Sequence, residues 1–148
     1  MTDFCLLFSV FCLLFSEKVG IMSQYEGLQE EVRELKLPAI EVWENKYRDR
    51  DYLVKFDTPE FTCICPKTGL PDFAHLYIEY APEKWCVELK SFKEYLVAYR
   101  DIGIFHEHVV NRILEDLVKV CAPRRMKVKG AFNVRGGITT AVEAEYLK

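Results

Sequence analysis

The chain has 148 residues; half of them are hydrophobic, 29% are charged, and the formal net charge is −3. This length suits one domain with one buried core, and the composition is that of a globular protein rather than a disordered one. A weakly acidic balance without a strongly basic patch does not favour direct binding of a nucleic acid.

The cysteines argue against an exported, disulfide-stabilised protein. A chain of this length and apolar content does not need a disulfide framework. Cys63 and Cys65 are too close together for the usual zinc-binding pair, and no second pair follows them. We therefore expect a reduced, cytoplasmic protein without a metal site. The six cysteines are irregularly spaced: Cys5, Cys12, Cys63, Cys65, Cys86 and Cys121.

The first residues contain a repeat, because the segment 4–9 recurs residue for residue as 11–16. This apolar stretch is too short to span a bilayer. It is similar to the apolar part of a signal peptide, but Asp3 stands where a positive charge belongs and no A-x-A cleavage site follows. We expect residues 1–21 to be an extension from an upstream start, with Met22 as the natural start. A genuine membrane or export segment is the alternative.

The elements before the first helix follow from alternation and turn residues. Residues 22–50 are predicted to form an N-terminal arm with one short helix before Pro38. A first strand is expected from Tyr52 to Phe61, followed by a turn-rich segment, Cys65–Asp72, with two prolines and a glycine. A half-buried strand is then expected from His75 to Tyr80, with one apolar face made by Leu76, Ile78 and Tyr80.

The first helix is predicted to follow an extended piece, Trp85–Leu89. Ser91, with Glu94 three residues later, predicts a capping box in which Ser91 is the N-cap. Gly103 suits the end of the helix. Its apolar stripe is expected to comprise Phe92, Tyr95, Leu96 and Tyr99.

A second helix is predicted from about His106 to Cys121, because apolar residues recur there at helical spacing and Pro123 follows. Two strands close the chain and are joined by a hairpin turn at Gly136-Gly137. The inward faces of these two strands are predicted to be Met126, Val128, Phe132 and Val134 on one and Thr140, Val142, Ala144 and Tyr146 on the other.

The predicted order is strand, strand, helix, helix, strand, strand. Over residues 51–148 it indicates an α+β domain in which an antiparallel four-stranded sheet (ββααββ) carries two helices on one face. An open sheet of this kind has two exposed edge strands. Joining identical sheets edge to edge into a ring would remove those edges, so we expect a homo-oligomer.

Four blocks of the sequence together resemble the 7-cyano-7-deazaguanine reductases. They are the nucleophile segment at residues 61–73, the NADPH-associated motif at 88–93, the substrate-binding motif at 105–107 and the late hairpin at 135–138. The blocks occur in the family's order. The resemblance implies the tunnelling fold, in which subunits close their sheets into barrels. It also implies NADPH-dependent reduction of the nitrile of 7-cyano-7-deazaguanine in queuosine biosynthesis.

The resemblance assigns chemistry to three residues. A thiolate can add to a nitrile carbon and give a thioimidate that accepts hydride, and Cys65 is expected to be that nucleophile. Asp72 is expected to be the general acid/base, and His106 to help position or protonate the intermediate imine. Without the resemblance, Cys65 reads as a small buried hydrophobic residue and Asp72 as an ordinary turn residue. Cys63 is expected to be structural.

The remaining site residues bind ligands in this interpretation. Glu107 would accept two adjacent N–H groups of the deazaguanine, although a solvated glutamate in the first turn of a helix is the plain alternative. Glu88 and Ser91 are expected to bind substrate as well. Lys90, Ser91 and Lys93 would hold NADPH phosphates at a helix N-terminus, in a surface cleft between subunits. His75 and His108 are left without a site role.

Two departures from the family pattern affect this reading. Glu94 stands where the family prefers an apolar or aromatic residue, and the segment 139–145 lacks the Asp-Pro-Tyr type of ending. Two rival functions remain: a non-reducing tunnelling-fold enzyme of the amidinotransferase type, and a non-catalytic deazapurine-binding protein. Lys90 and Lys93 argue for the reductase, because an amidinotransferase would not need them.

Overall fold

The computed structural model of the protein describes residues 32–148, and the predicted extension at residues 1–21 lies outside them. The elements, in chain order, are a 3-10 helix at Val32–Glu34, β1 (Val42–Glu44), β2 (Val54–Ile64), β3 (Pro71–Ala81), β4 (Trp85–Val87), α1 (Leu89–Val97), a 3-10 turn at Ala98–Asp101, α2 (His106–Cys121), β5 (Arg125–Arg135) and β6 (Ile138–Leu147). Among these described helices none is both long and apolar enough to cross a membrane.

The main sheet has four antiparallel strands in the order β2-β3-β5-β6. The mixed antiparallel α+β class with two helices is therefore confirmed. The observed order contains more than the six predicted elements, because the short strands β1 and β4 pair in a separate two-stranded sheet. This second sheet ties the N-terminal arm to the residues just before α1.

The core lies between the sheet and the two helices, and alternation explains how it forms. Leu76, Ile78 and Tyr80 are at most 1% exposed, as predicted for the inward face of β3. Both helices bury one apolar stripe against that face. On α1 and the following turn the buried side chains are Phe92, Tyr95, Leu96 and Tyr99; on α2 they are Val109, Val110, Ile113, Leu114, Leu117 and Cys121.

Gly130 permits a close approach of helix and sheet. A Cβ atom at this position would lie 2.8 Å from a side-chain methyl of Val110 on α2 and 3.0 Å from the Phe132 ring. Because both neighbours belong to the packed core, they have little room to move. The missing side chain thus lets α2 sit directly on β5, the strand that later contributes to the candidate site.

Three local predictions are wrong. The N-cap of α1 is Glu88, whose carboxylate accepts the N–H groups of Lys90 and Ser91, so the predicted capping box at Ser91 does not form. The turn after α1 ends at Ile102, and Gly103 lies in an extended bridge to Ile64 instead. Val134 is 60% exposed, because the β5–β6 register shifts after Phe132 and turns this residue outward.

Candidate active site

Cys65 lies one residue beyond β2, in a loop that the neighbouring chain holds in place. The N–H of Ile64 donates to the carbonyl of Ile102 at 2.9 Å, and the N–H of Ile104 donates back to Ile64 at 3.0 Å. These bonds fix the end of β2 against the segment that leads into α2. The nucleophile predicted from sequence is therefore held close to the first turn of that helix.

The loop itself is closed by its own backbone. The N–H of Gly69 donates to the carbonyl of Cys65, and the N–H of Cys65 donates to the carbonyl of Leu70. Gly69 has a φ of 68°, a left-handed conformation that side chains disfavour. The N–H groups of Lys67 and Thr68 then face the Cys65 sulfur.

This loop favours the thiolate of Cys65. Partial burial opposes ionisation, but the hydroxyl and N–H of Thr68 and the N–H of Lys67 hydrogen-bond the sulfur and outweigh it. The pKa of Cys65 is lowered as a result. The nearby charge of Asp72 acts in the opposite direction, which also places that carboxylate close to the sulfur. Since the thiolate is the nucleophilic form, Cys65 is a half-buried, activated thiol.

Cys63 is chemically different although it is only two residues away. Its side chain is fully buried, and burial together with the charge of Asp72 raises its pKa to about 12. Its sulfur lies 4.0 Å from the carbonyl of Ile104. The geometry agrees with the sequence-based prediction that Cys63 packs in the core.

The sequence suggested that Asp72 belongs to a turn, but it is the second residue of β3. It pairs in register with Cys63. Only 4% of it is exposed. Its Oδ2 lies 3.3 Å from Nε2 of His106, the first residue of α2. A buried carboxylate and an imidazole in this contact can pass a proton between them.

Phe132 fixes the orientation of the His106 ring. The two rings are stacked with their centroids 3.7 Å apart and their planes 8° apart. Phe132 belongs to β5 and is 4% exposed, so the imidazole rests on the core. Sequence reasoning placed Phe132 on the inward face of the sheet, but nothing in the sequence indicated this stacking.

Arg135 is a site residue to which the sequence analysis gave no role. Its guanidinium group contacts Oδ1 of Asp72 and the carbonyl oxygen of Pro71. The contact with Oδ1 is an ion pair without hydrogen-bond alignment, since that oxygen has no hydrogen-bond partner of good geometry. The late hairpin block contained this arginine, and a charged residue before two glycines was the available signal. The direction of the Arg135 side chain depends on the register shift in β5, which the sequence does not reveal.

Glu107 lies next to His106 in the first turn of α2, and its side chain is exposed. Its backbone carbonyl accepts a hydrogen bond from Asn111 at 2.8 Å. The carboxylate is thus presented to solvent at the helix end that also carries His106. The structure brings Cys65, Asp72, His106 and Glu107 to one end of the sheet.

The residues predicted around α1 form a second group. The Ser91 hydroxyl accepts the N–H of Glu41 at 3.0 Å and donates to the carbonyl of Glu88 at 3.1 Å. The Glu88 carboxylate also caps the helix by accepting the N–H groups of Lys90 and Ser91. These N–H groups are therefore not open to the phosphate that the sequence analysis had placed there. Ser91 and Glu88 therefore serve to join α1 to the N-terminal arm.

A groove runs beside this second group, between β2 and α1, with a volume of about 370 Å³. Three cationic residues line it, Lys55, Lys93 and Arg100, and two acidic ones, Asp57 and Glu60. Its apolar walls are formed by Phe56, Phe61, Leu89, Phe92, Leu96 and Val97. Lys90 and Lys93 are exposed. Cationic side chains beside an apolar wall are suited to a dinucleotide, whose phosphates are anionic and whose rings are flat. The residues present thus fit NADPH through their side chains rather than through the helix N-terminus.

Within residues 32–148, no group of three histidine, cysteine or acidic side chains is placed to hold a metal ion. Comparison with known families then decides the assignment. Residues 71–148, just over half of the chain, match the family model described as QueF-like protein. The chain belongs to this family.

Relatives within the QueF-like family are close in sequence. The chain is 55% identical over 109 residues to the NADPH-dependent 7-cyano-7-deazaguanine reductase of Chlorobaculum tepidum, which covers 74% of this chain and 93% of that protein. It is 58% identical over 108 residues to the reductase of the same name from Halorhodospira halophila, covering 73% and 92% of the two chains. Among solved structures, the apo archaeosine synthase QueF-Like superposes with a TM-score of 0.59 at 27% identity, covering 63% of this chain and 91% of that one.

Proposed function

We propose that the protein catalyses the NADPH-dependent reduction of the nitrile of 7-cyano-7-deazaguanine to the aminomethyl product, the reaction of queuosine biosynthesis. The observation that carries the proposal is the environment of Cys65. Its thiol has a lowered pKa, and it follows the end of β2, where Cys63 pairs in register with Asp72. Asp72 is in turn in contact with His106. An activated thiol beside a buried proton-transfer pair is what addition to a nitrile requires. The names of relatives at 51–58% identity support the same reaction.

The Cys65 sulfur begins the reaction by attacking the nitrile carbon. A C–S bond forms as one π bond of the nitrile breaks, and Asp72 supplies a proton to the nitrogen, so the product of this step is a thioimidate. NADPH, when bound, would supply one hydride per molecule, so two molecules in succession would bring this carbon to the amine level. The C–S bond breaks between the two reductions. His106 stays in contact with Asp72 through the cycle and can return its proton. Cys65 leaves as a thiolate, which its loop stabilises.

Glu107 is the residue we assign to base recognition. A carboxylate can accept two N–H bonds from one edge of a deazaguanine, and the Glu107 side chain is exposed beside His106. Glu88 and Ser91 are also proposed to contact substrate. Their polar groups already have partners in the structure, because the Glu88 carboxylate caps α1 and the Ser91 hydroxyl accepts the N–H of Glu41. Substrate would have to share these groups. Glu107 is therefore expected to dominate recognition.

For the cofactor, we assign the phosphates to Lys90 and Lys93 and the adjoining apolar part to the groove between β2 and α1. Ser91 would support the cofactor site indirectly, by fixing α1 to the arm. Lys90 lies 4.0 Å from Glu94, with both side chains exposed. Such an ion pair is weak in water, so Lys90 can turn from Glu94 to a phosphate at small cost.

The same proposal includes a ring-type homo-oligomer in the cytoplasm, with a small-molecule substrate and no direct contact with nucleic acid or membrane. In the described part of the chain, the long strands β2 and β6 each have one unpaired edge. Pairing of β6 with β2 of a second copy would close both edges.

The second candidate is the activity of the solved neighbour, which is called an archaeosine synthase. Its identity to this chain is 27%, about half that of the reductases, so the reductase reading is preferred. A loss of NADPH absorbance on mixing protein, NADPH and 7-cyano-7-deazaguanine tests the choice. We expect two NADPH consumed for each amine formed, unaffected by a metal chelator. Product formation without NADPH consumption would contradict the proposal, and so would substrate binding without any turnover.

A further inference from the structure

Arg100 lines the groove between β2 and α1 and belongs to the 3-10 turn that follows the helix. Its neighbour Tyr99 is fully buried, and the Tyr99 ring packs against Phe61 of β2 with the centroids 5.6 Å apart. The Tyr99 hydroxyl lies 2.9 Å from that of Tyr95, and the N–H of Ile102 donates to the Tyr99 carbonyl at 3.0 Å. The backbone that carries Arg100 is therefore held against β2, whereas Arg100 itself is exposed.

Two of the three cations in this groove have no carboxylate partner. Lys55 forms an ion pair with Glu79 at 2.5 Å. Among residues 32–148, by contrast, no carboxylate forms an ion pair with Lys93 or Arg100. These two side chains can therefore bind an anionic ligand without first giving up an ion pair within the described chain.

The spacing of Lys93 and Arg100 suits two separate anionic groups. Their positions span the second half of α1 and the 3-10 turn after it, a rise of roughly 12 Å at the pitch of these helices. The pyrophosphate and the 2′-phosphate of NADPH are attached to different carbons of one ribose. Lys90 and Lys93 account for the pyrophosphate in the proposed cofactor site, so Arg100 is left to bind the second anionic group.

The acidic residues of the groove bear on which cofactor binds. Asp57 contacts the imidazole of His75, whereas Glu60 is exposed and has no cationic partner in the described part of the chain. A carboxylate beside the adenosine ribose accepts the 2′-hydroxyl of NADH, whereas an arginine accommodates the 2′-phosphate of NADPH. With Glu60 in the groove, a preference for NADPH requires a cation close by. Arg100 is the one arginine among the described residues that line the groove.

We propose that Arg100 binds the 2′-phosphate of NADPH and thereby selects this cofactor over NADH. The planar guanidinium group can donate two parallel hydrogen bonds to one phosphate, which a lysine cannot do. This inference rests on the proposed function, because it adds one residue, with a separate role, to the cofactor site assigned there.

The test is the binding of cofactor to the full chain in the absence of substrate, measured by titration calorimetry at low ionic strength. NADP⁺ and NAD⁺ are the probes, because they differ only in the 2′-phosphate. Arg100→Met removes the charge, Arg100→Lys keeps it, and Lys93→Met removes a charge assigned to the pyrophosphate. Arg125→Met is the matched control, because Arg125 is exposed, lies near Asp51 and does not line the groove.

The wild type should bind NADP⁺ more tightly than NAD⁺ by about tenfold or more, the effect of a charge-assisted contact with one phosphate. Arg100→Met should lose this preference through weaker binding of NADP⁺, with the affinity for NAD⁺ kept within about twofold. Arg100→Lys should retain part of the preference, since lysine binds phosphate as a point charge. Lys93→Met should weaken both cofactors by a similar factor, and Arg125→Met should match the wild type.

Equal affinities of the wild type for NADP⁺ and NAD⁺ would overturn the inference, and this result does not depend on the folding of any variant. An unchanged preference in Arg100→Met would also overturn it. So would an equal loss of affinity for both cofactors in that variant, which would indicate a general effect on the groove. Failure of the proposed function looks different: the wild type would oxidise no NADPH with 7-cyano-7-deazaguanine, whichever dinucleotide it prefers.

Discussion

His106 Nε2, at the start of α2, lies 3.3 Å from Oδ2 of Asp72, near the start of β3. The stacking on Phe132 fixes the plane of the imidazole, and Asp72 fixes which nitrogen faces the site. Both side chains are largely withdrawn from water, with exposures of 20% and 5%. A proton moving within this pair is thus shielded from exchange with solvent.

The first prediction concerns the thiolate of Cys65. Thr68→Val removes a hydroxyl that lowers the pKa of Cys65, so the pKa should rise and the thiolate fraction at neutral pH should fall. Alkylation of Cys65 by iodoacetamide at neutral pH should slow by about three- to tenfold, because one hydrogen bond contributes about 0.5–1.5 kcal/mol. The measurement is the pH dependence of the alkylation rate, read by peptide mass spectrometry.

Thr68→Ser is the control, because it keeps the hydroxyl and should retain the wild-type profile. At high pH all three proteins should react at the same limiting rate. An unchanged profile in Thr68→Val would show that the loop N–H groups alone stabilise the thiolate.

The second prediction concerns recognition by Glu107. Glu107→Gln keeps the shape but replaces one acceptor oxygen by a donor that faces another donor on the base. Substrate affinity should weaken by about 2–3 kcal/mol, in the range of a charge-assisted pair. Titration calorimetry measures this directly. Glu115→Gln, an exposed glutamate on the same helix, serves as the control, and equal affinities of the two variants would move recognition to another residue.

The third prediction concerns stability. Arg112 donates to Asp116 at 2.7 Å and to the carbonyl of Val32 at 2.6 Å, and Asp116 also accepts from Tyr95 at 2.8 Å. Arg112→Met would leave a partly buried carboxylate and a carbonyl without their donor. The free energy of unfolding should fall by about 2–3 kcal/mol.

Urea unfolding at one fixed protein concentration measures this, because the stability of the proposed oligomer would depend on concentration. Arg125→Met is the control and should lose less than about 0.5 kcal/mol, since its ion pair with Asp51 is exposed. A similar loss of unfolding free energy in both variants would mean that the bond from Arg112 to Val32 does not stabilise the N-terminal arm.

Much of the fold follows from periodicity, and the helix from His106 to Cys121 begins and ends where the sequence predicts. Its apolar spacing is long and regular, and no competing pattern exists. The N-terminus of α1 was harder, because two residues of the segment can each cap a helix. Ser91 has the better local pattern, yet Glu88 is the cap, since the pairing of β4 with β1 fixes the backbone just before it.

The candidate site was predictable where the chemistry resides in one side chain and not where it depends on long-range geometry. Cys63 is buried, in agreement with a structural role, but the sequence argument does not explain why it differs from Cys65. Residues two apart share a face of a continuous strand, and the two cysteines differ because β2 ends at Ile64 and Cys65 begins the loop. The contact between Asp72 and Arg135 joins residues that are 63 positions apart in the chain, and it depends on the register shift in β5. No local pattern specifies that contact.

The central claim is that Cys65 attacks the nitrile, and the most direct measurement is the intact mass of the protein mixed with 7-cyano-7-deazaguanine in the absence of NADPH. We predict an increase equal to the whole substrate, since addition to a nitrile expels no leaving group, located on Cys65 and removed by NADPH. Cys63→Ala should retain the adduct, Cys65→Ala should lose adduct and turnover while still binding substrate, and Asp72→Asn should form the adduct slowly. An adduct on Cys63, or normal turnover by Cys65→Ala, would contradict the account.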